Sequence, residues 1–317
     1  MRRSKLRVIS IMALALSAGA ALMPVTAHGQ IFVVNYGYGN GTGAAIGKYN
    51  LDGSTVWASL VSGLVEPYGI AVSGSDLFVT SYAGTIAEYN ATSGATVNPS
   101  LVSGLSSPAG IAVSGSDLFV VNSGGGTTGA GSIGEYTLGA TPGTIASSNP
   151  SLVSGLTGPS DIAVSGSDLF VTYPYGNTIG KYTTSGVTVS ASLVSGLWGP
   201  EGIAVSGSDL FVVNGGGNTI GEYTTSGGTV NASLVSLLSY PWGIAVFGPD
   251  LFVVNNSNTP MGTIAEYTTS GVTVNASLVT GLVSPTDVAV VPEPASFSLV
   301  ALAGLGLLAR RRRSGQR

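Results

Sequence analysis

The sequence predicts an all-β ring of six four-stranded antiparallel blades, and three observations carry that expectation. A Leu/Ile-Phe-Val segment recurs with its Phe at 32, 78, 119, 170, 211 and 252, in steps of 46, 41, 51, 41 and 41 residues. A period of that size is the range of propeller blades, whereas tetratricopeptide and ankyrin repeats are shorter and helical. Each copy also holds four short β-type segments, and the copies are offset at the two termini in a way that closes a ring.

The copy from Gly199 to Leu238 displays the four segments most plainly: 203–205, 210–213, 219–224 and 229–235. All are rich in β-branched and aromatic residues and bounded by Gly, Ser, Asp, Asn or Pro, which is strand and turn chemistry. None reaches the length at helical spacing that a stable helix needs. Second-segment copies number six and begin at Ile31, directly after an N-terminal leader. First-segment copies also number six, at Ile70, Ile111, Ile162, Ile203, Ile244 and Val288, and the last has no second segment after it. Pairing of a C-terminal strand at 287–291 with an N-terminal strand at 31–35 therefore closes the ring without a free edge. A closed ring needs no partner to cover its edges, so a monomer is expected.

Pro-x-Gly-Ile-Ala-Val, a Gly-x-Asp turn, Leu-Phe-Val and Asn-Thr-Ile-x-x-Tyr together resemble the NHL repeat and its relatives in six-bladed propellers. The likeness covers residues 31–291. It implies the fold and leaves the function open, because sites are grafted on such folds independently.

The ends of the chain read as addresses. Residues 1–27 fit a signal peptide, with Arg2, Arg3, Lys5 and Arg7 ahead of an apolar stretch and a small-residue cleavage site at Val25-Thr26-Ala27. The propeller is expected over 28–291. Residues 292–317 hold Pro292-Glu293-Pro294, an apolar run expected to form a helix over 295–309, and the cluster Arg310, Arg311, Arg312 and Arg313. This tail resembles the PEP-CTERM sorting signal. The resemblance implies transient anchoring in the inner membrane of a Gram-negative bacterium through the C-terminal helix, processing by an exosortase-type enzyme, and delivery to the cell surface or extracellular matrix.

Composition narrows the chemistry. There is no Cys, and the single His, His28, sits beside the expected leader cut, which removes thiol and imidazole chemistry from the ring. Between residues 31 and 291 lie fourteen Asp and Glu but only Lys48 and Lys181, a formal charge of −12. Such a body repels phosphate backbones, so no nucleic-acid partner is expected.

Strand direction alternates within a blade, which sorts the loops onto two faces. One face repeats Ser-Gly-Ser-Asp, and Asp76, Asp117, Asp168, Asp209 and Asp250 are expected to serve as turn residues there. Strand three repeats a Tyr slot (49, 89, 136, 182, 223 and 267), read as packing between blades. Beside it lies a charged slot (Lys48, Glu88, Glu135, Lys181, Glu222 and Glu266), read as an exposed rim position with between-blade pairing. Five Asn-x-Ser/Thr matches carry no inference.

The other face varies and collects Tyr36, Tyr38, Tyr68, Tyr82, Tyr173, Tyr175, Trp198, Tyr240 and Trp242. Aromatic rings on loops over a rigid scaffold suit a ligand-binding surface, sugar rings in particular; the same rings could equally pack over Pro and seal the loops. Residues preceding the Gly-Ile-Ala-Val run, Tyr68, Ala109, Ser160, Glu201, Trp242 and Thr286, are expected around the channel mouth, with Asp161 and Asp287 replacing Gly in two blades. In gluconolactonase-like relatives, carboxylates at this mouth hold a divalent metal. Here Glu201, Asp161 and Asp287 would be the alternative Ca²⁺ set, although no Asn or His completes it. The expected protein is non-catalytic and needs no cofactor, with extracellular polysaccharide as its partner. A metal-dependent lactonase or lyase and a purely structural matrix protein are the alternatives.

Overall fold

The computed structural model describes residues 29–37, 43–126, 128–256 and 261–292. Over these the chain forms six four-stranded antiparallel sheets arranged as a six-bladed β-propeller. Blade 1 takes its inner strand from the C-terminal end (Pro285–Pro292) and its other three from the N-terminal end (Gly29–Asn35, Ala45–Asn50 and Thr55–Ser62). Blade 5 is a regular copy, from the inner strand Pro200–Ser206 through Asp209–Asn214 and Thr219–Thr224 to the outer strand Thr229–Val235. The closure runs as expected, with Ile31 opposite Val290 and Val33 opposite Val288, and it reaches Gly29 opposite Pro292. The strand thus extends one residue past the expected boundary, into the sorting motif. The leader, the apolar run 295–309, Glu293, Pro294 and Arg310–Arg313 lie outside the described residues, as does Tyr38. Among the described residues no helix is long and apolar enough to cross a membrane.

Each hydrophobic cluster lies between two neighbouring blades. One joins Phe32, Val34 and Ile46 of blade 1 to Leu77, Val79 and Tyr89 of blade 2. Another joins Phe252, Val254 and Ile264 of blade 6 to Ile31, Val33 and Tyr49 of blade 1, completing the circle. The Tyr slot of strand three is buried in all six blades, as read.

The charged slot corrects its reading in part. It does pair blades, but it is no exposed rim: Lys48 is 6% and Glu88 2% exposed. Lys48 Nζ donates to the Ala91 carbonyl of blade 2 at 3.0 Å and lies 5.3 Å from the Phe32 ring centroid. Glu88 Oε2 accepts the Gly143 amide of blade 3 at 3.1 Å, and burial raises its pKa. Lys181 pairs with Asp168 at 2.9 Å and reaches the Thr225 carbonyl of blade 5 at 3.3 Å. The physical reason is that neighbouring blades cover both faces of every sheet. Alternation along a strand therefore selects which neighbour a side chain meets, not whether it meets water.

The Ser-Gly-Ser-Asp turns are two-residue hairpins, with Ser73 opposite Asp76 and Gly74 at φ 58° in the first central position, a place that glycine fills without strain. The inner strands meet backbone to backbone at the axis. A Cβ at Gly202 would collide with the Trp242 carbonyl oxygen, which is why the slot is Gly in four blades.

Candidate binding site on the axial face

The variable loops build an aromatic cup over the mouth of the central channel. Its local backbone is unusual. In each blade the residue before the Pro at the inner-strand entry has positive φ: Glu66 (44°), Ser107 (51°), Gly158 (53°), Gly199 (60°), Tyr240 (49°) and Ser284 (48°). Its carbonyl, in five of the six, accepts the amide of the residue following strand two, as from Tyr82 to Glu66 at 3.0 Å and from Asn256 to Tyr240 at 2.9 Å. Four blades hold a non-glycine residue there, which stores strain around the mouth.

Tyr68, Tyr82 and Trp242 form a continuous wall. The Tyr68 and Tyr82 ring centroids are 4.3 Å apart at 36°, and Tyr68 and Trp242 are 5.8 Å apart at 53°. With Tyr175, Glu66 and Glu201 they line a cavity of about 530 Å³. A second hollow of about 340 Å³ continues from the same wall to Tyr36, Asn256 and Ser284. Burial raises the Tyr68 phenol well above its ordinary value and pushes Tyr82 up to about 12, so both hydroxyls keep their protons as donors.

Not all the expected aromatic residues share this cup. Tyr175 reaches it while 79% exposed, and Trp198 and Tyr240 stand exposed on the loops outside its lining. Tyr173 is a correction: it ends strand two of blade 4, is 7% exposed, and its hydroxyl lies 2.6 Å from that of Tyr182. It occupies the place held by Asn35, Asn122, Asn214 and Asn255 in other blades, all buried. Its side chain is therefore packing between strands, not loop surface.

Glu201, Ser160, Asp161 and Asp287 converge below the cup on a channel of only about 20 Å³, with Thr286 and Trp242 beside them. The alternative Ca²⁺ set does not assemble from them. Asp161 Oδ1 accepts the Ile162 amide at 2.8 Å and Oδ2 the Ile203 amide of blade 5 at 2.9 Å. Asp287 does the same for Val288 at 2.8 Å and Ile70 of blade 2 at 2.9 Å. Both carboxylates thus lace one blade to the next. Burial raises both pKa values, and the charge on Asp161 raises Asp287 further. Among the described residues no three His, Asp or Glu side chains are placed to hold a metal ion.

Glu201 is differently placed. It accepts the Ser160 hydroxyl at 2.9 Å and faces the cup, and burial followed by the Asp161 charge raises it from 4.5 to about 7. The folded ring therefore holds this proton at pH values where the unfolded chain has lost it. Stability from this group is full below the ordinary value of 4.5 and is lost as pH rises to about 7. The melting temperature is expected to fall as the pH is raised across that window, with a shallower slope in Glu201→Gln. An unchanged slope in that variant would contradict the burial of this carboxyl.

Sequence reasoning placed Ser160 at the mouth but passed over Glu66 and the left-handed positions. The only signal for the last was a residue type that varies immediately ahead of a repeated Pro.

Residues 290–313 match the PEP-CTERM protein-sorting motif. The motif implies export, processing by an exosortase-type enzyme, and sorting to the cell envelope or surface. No curated protein matches the chain in sequence. Among solved structures, the fold is similar to one in a nidogen–laminin complex, with TM-score 0.63 and 15% identity over 83% of this chain and 98% of that chain. It is similar also to a putative 6-phosphogluconolactonase from Bacteroides fragilis, with TM-score 0.59 and 13% identity over 85% and 99%. Virginiamycin B lyase from Staphylococcus aureus, solved with quinupristin, gives TM-score 0.54 and 22% identity over 81% and 86%. The class these findings define is an exported six-bladed β-propeller bearing a PEP-CTERM motif.

Proposed function

We propose that this protein is a non-catalytic binding protein of the cell surface or extracellular matrix, and that its aromatic cup takes an extracellular polysaccharide. The observation that carries the reading is the wall of Tyr68, Tyr82 and Trp242 over the channel mouth. Flat rings with polar tips suit the apolar faces and hydroxyl edges of sugars. The strand directions support it. The closing strand enters at Pro285, opposite Asn35, on the cup face and ends at Pro292, opposite Gly29, on the turn face. The sorting tail therefore leaves the ring on the face away from the cup, which aims the cup outward while the tail is anchored.

The lactonase or lyase alternative rests on Glu201, whose raised carboxyl is a property of acid–base catalysts. It predicts turnover lost in Glu201→Gln. The binding reading predicts instead that the producing bacterium's polysaccharide pulls down the full chain, and that Tyr68→Ala with Trp242→Ala weakens this by about tenfold or more. Undiminished capture by the double variant would refute it.

A further inference from the structure

The charges around the cup have one sign. The ionisable carboxyls lining it are Glu66 and Glu201, and no Lys or Arg lines it. The two Lys of the ring are engaged elsewhere. Lys181 pairs with Asp168 and reaches the Thr225 carbonyl, while Lys48 donates to Ala91, which places both ammonium groups toward the turn face. No cation of the ring is thus available to neutralise an acidic ligand at the cup.

We infer that the cup selects a protonated amine, carried by an amino-sugar unit or an aliphatic polyamine, seated against the Tyr68–Tyr82–Trp242 wall with its charge turned to Glu201 and Glu66. The inference rests on the ligand-binding reading of the cup and adds the ligand's charge. Each part follows from ordinary chemistry. An ammonium group is drawn to the face of an aromatic ring, most strongly Trp, when water is partly excluded. A carboxylate beside it supplies a charge-assisted hydrogen bond. Glu201 already accepts one hydrogen bond, from Ser160 Oγ at 2.9 Å, which holds the carboxyl at the cup floor. The Tyr68 hydroxyl bonds those of Tyr82 and Ser160, which leaves the Tyr82 hydroxyl to donate to the ligand's ring oxygens. The cavity, about 530 Å³, admits a sugar unit or two. A uronate or sulfated polymer would instead bring its charge against two carboxylates within a ring of formal charge −12.

The test compares three probes on the full chain: short glucosamine oligomers, the same oligomers fully N-acetylated, and cadaverine as an amine without sugar. Binding is followed by calorimetry. Glucosamine oligomers are expected to bind about tenfold or more tighter than the acetylated ones at about pH 7, where a share of their weakly basic amines is protonated and Glu201 is partly ionised. That preference should shrink in Glu201→Gln, and cadaverine, whose aliphatic amines stay protonated throughout, should bind more weakly as the pH is lowered from about 8 to about 5.5, where Glu201 gains its proton beside Tyr68, Tyr82 and Asp161. Cadaverine should compete. Equal affinity for the two oligomers overturns the amine inference and leaves the polysaccharide reading standing. Binding of cadaverine without either oligomer upholds the amine and removes the polysaccharide. Failure of all three probes to bind overturns the inference outright.

Discussion

Deleting residues 285–291 is expected to abolish cooperative folding of the ring. That segment is the inner strand of blade 1, and its loss exposes the backbone edge of Gly29–Asn35 and the buried cluster around Ile31, Val33 and Val288. It also removes Asp287, whose two oxygens hold Val288 and Ile70, and so unties blade 1 from blade 2. An open, apolar strand edge is a template for pairing with other chains. The deleted protein should lose its sharp thermal transition and aggregate, which light scattering and circular dichroism would register. A cut after Pro292 should leave the melting temperature nearly unchanged, since the described pairing ends there. A deletion that melts like the full ring would show that closure contributes little.

The second large effect is expected from Phe211→Ala. Phe211 is 1% exposed, in the cluster between blades 5 and 6 with Val213, Leu251 and Val253. Truncating a buried Phe costs about 3–5 kcal/mol in lost burial and cavity formation. For a chain of this size each kcal/mol lowers the melting temperature by roughly 2–4 °C. Denaturant titration should show that loss with an unchanged slope. Tyr175→Ala, at the exposed lip of the cup, should cost under about 0.5 kcal/mol. A small loss at Phe211 would mean the blades pack less interdependently than their shared clusters imply.

The fold was legible because it is written six times. The Phe period, the Gly of each turn and the one-strand offset between the ends lead to blades, hairpins and closure without reference to distant contacts. What failed were arguments that transfer a solvent-facing pattern to a sheet buried on both sides. Lys48 and Glu88 carry opposite charges at one slot and so read as an exposed rim; the between-blade pairing expected of them is present, but both side chains are buried. Tyr173 falls beside a Pro-Tyr-Gly loop and so read as surface, yet it closes strand two. Asp161 and Asp287 looked like spare ligands because they replace Gly. Only the register reveals that each reaches an amide more than forty residues away in sequence.

The cup was legible in part for the same reason. Loop sorting by strand direction placed Tyr36, Tyr68, Tyr82, Tyr175 and Trp242 on one face, and the structure gathers them around two adjoining hollows. Trp198 and Tyr240 stand exposed on the loops and line neither hollow, and which loop residues reach the cup is set by loop conformation. That conformation turns on the left-handed residues at the inner-strand entries, which no residue type announces.

The measurement that bears most directly on the central claim is an affinity titration of the full chain with extracellular polysaccharide from the producing bacterium, run beside the Tyr68→Ala, Trp242→Ala double variant. The cup account predicts saturable binding by the parent chain and a loss of about tenfold or more in the variant, with the fold intact by circular dichroism. Binding of equal strength in both, or none in the parent, would contradict it.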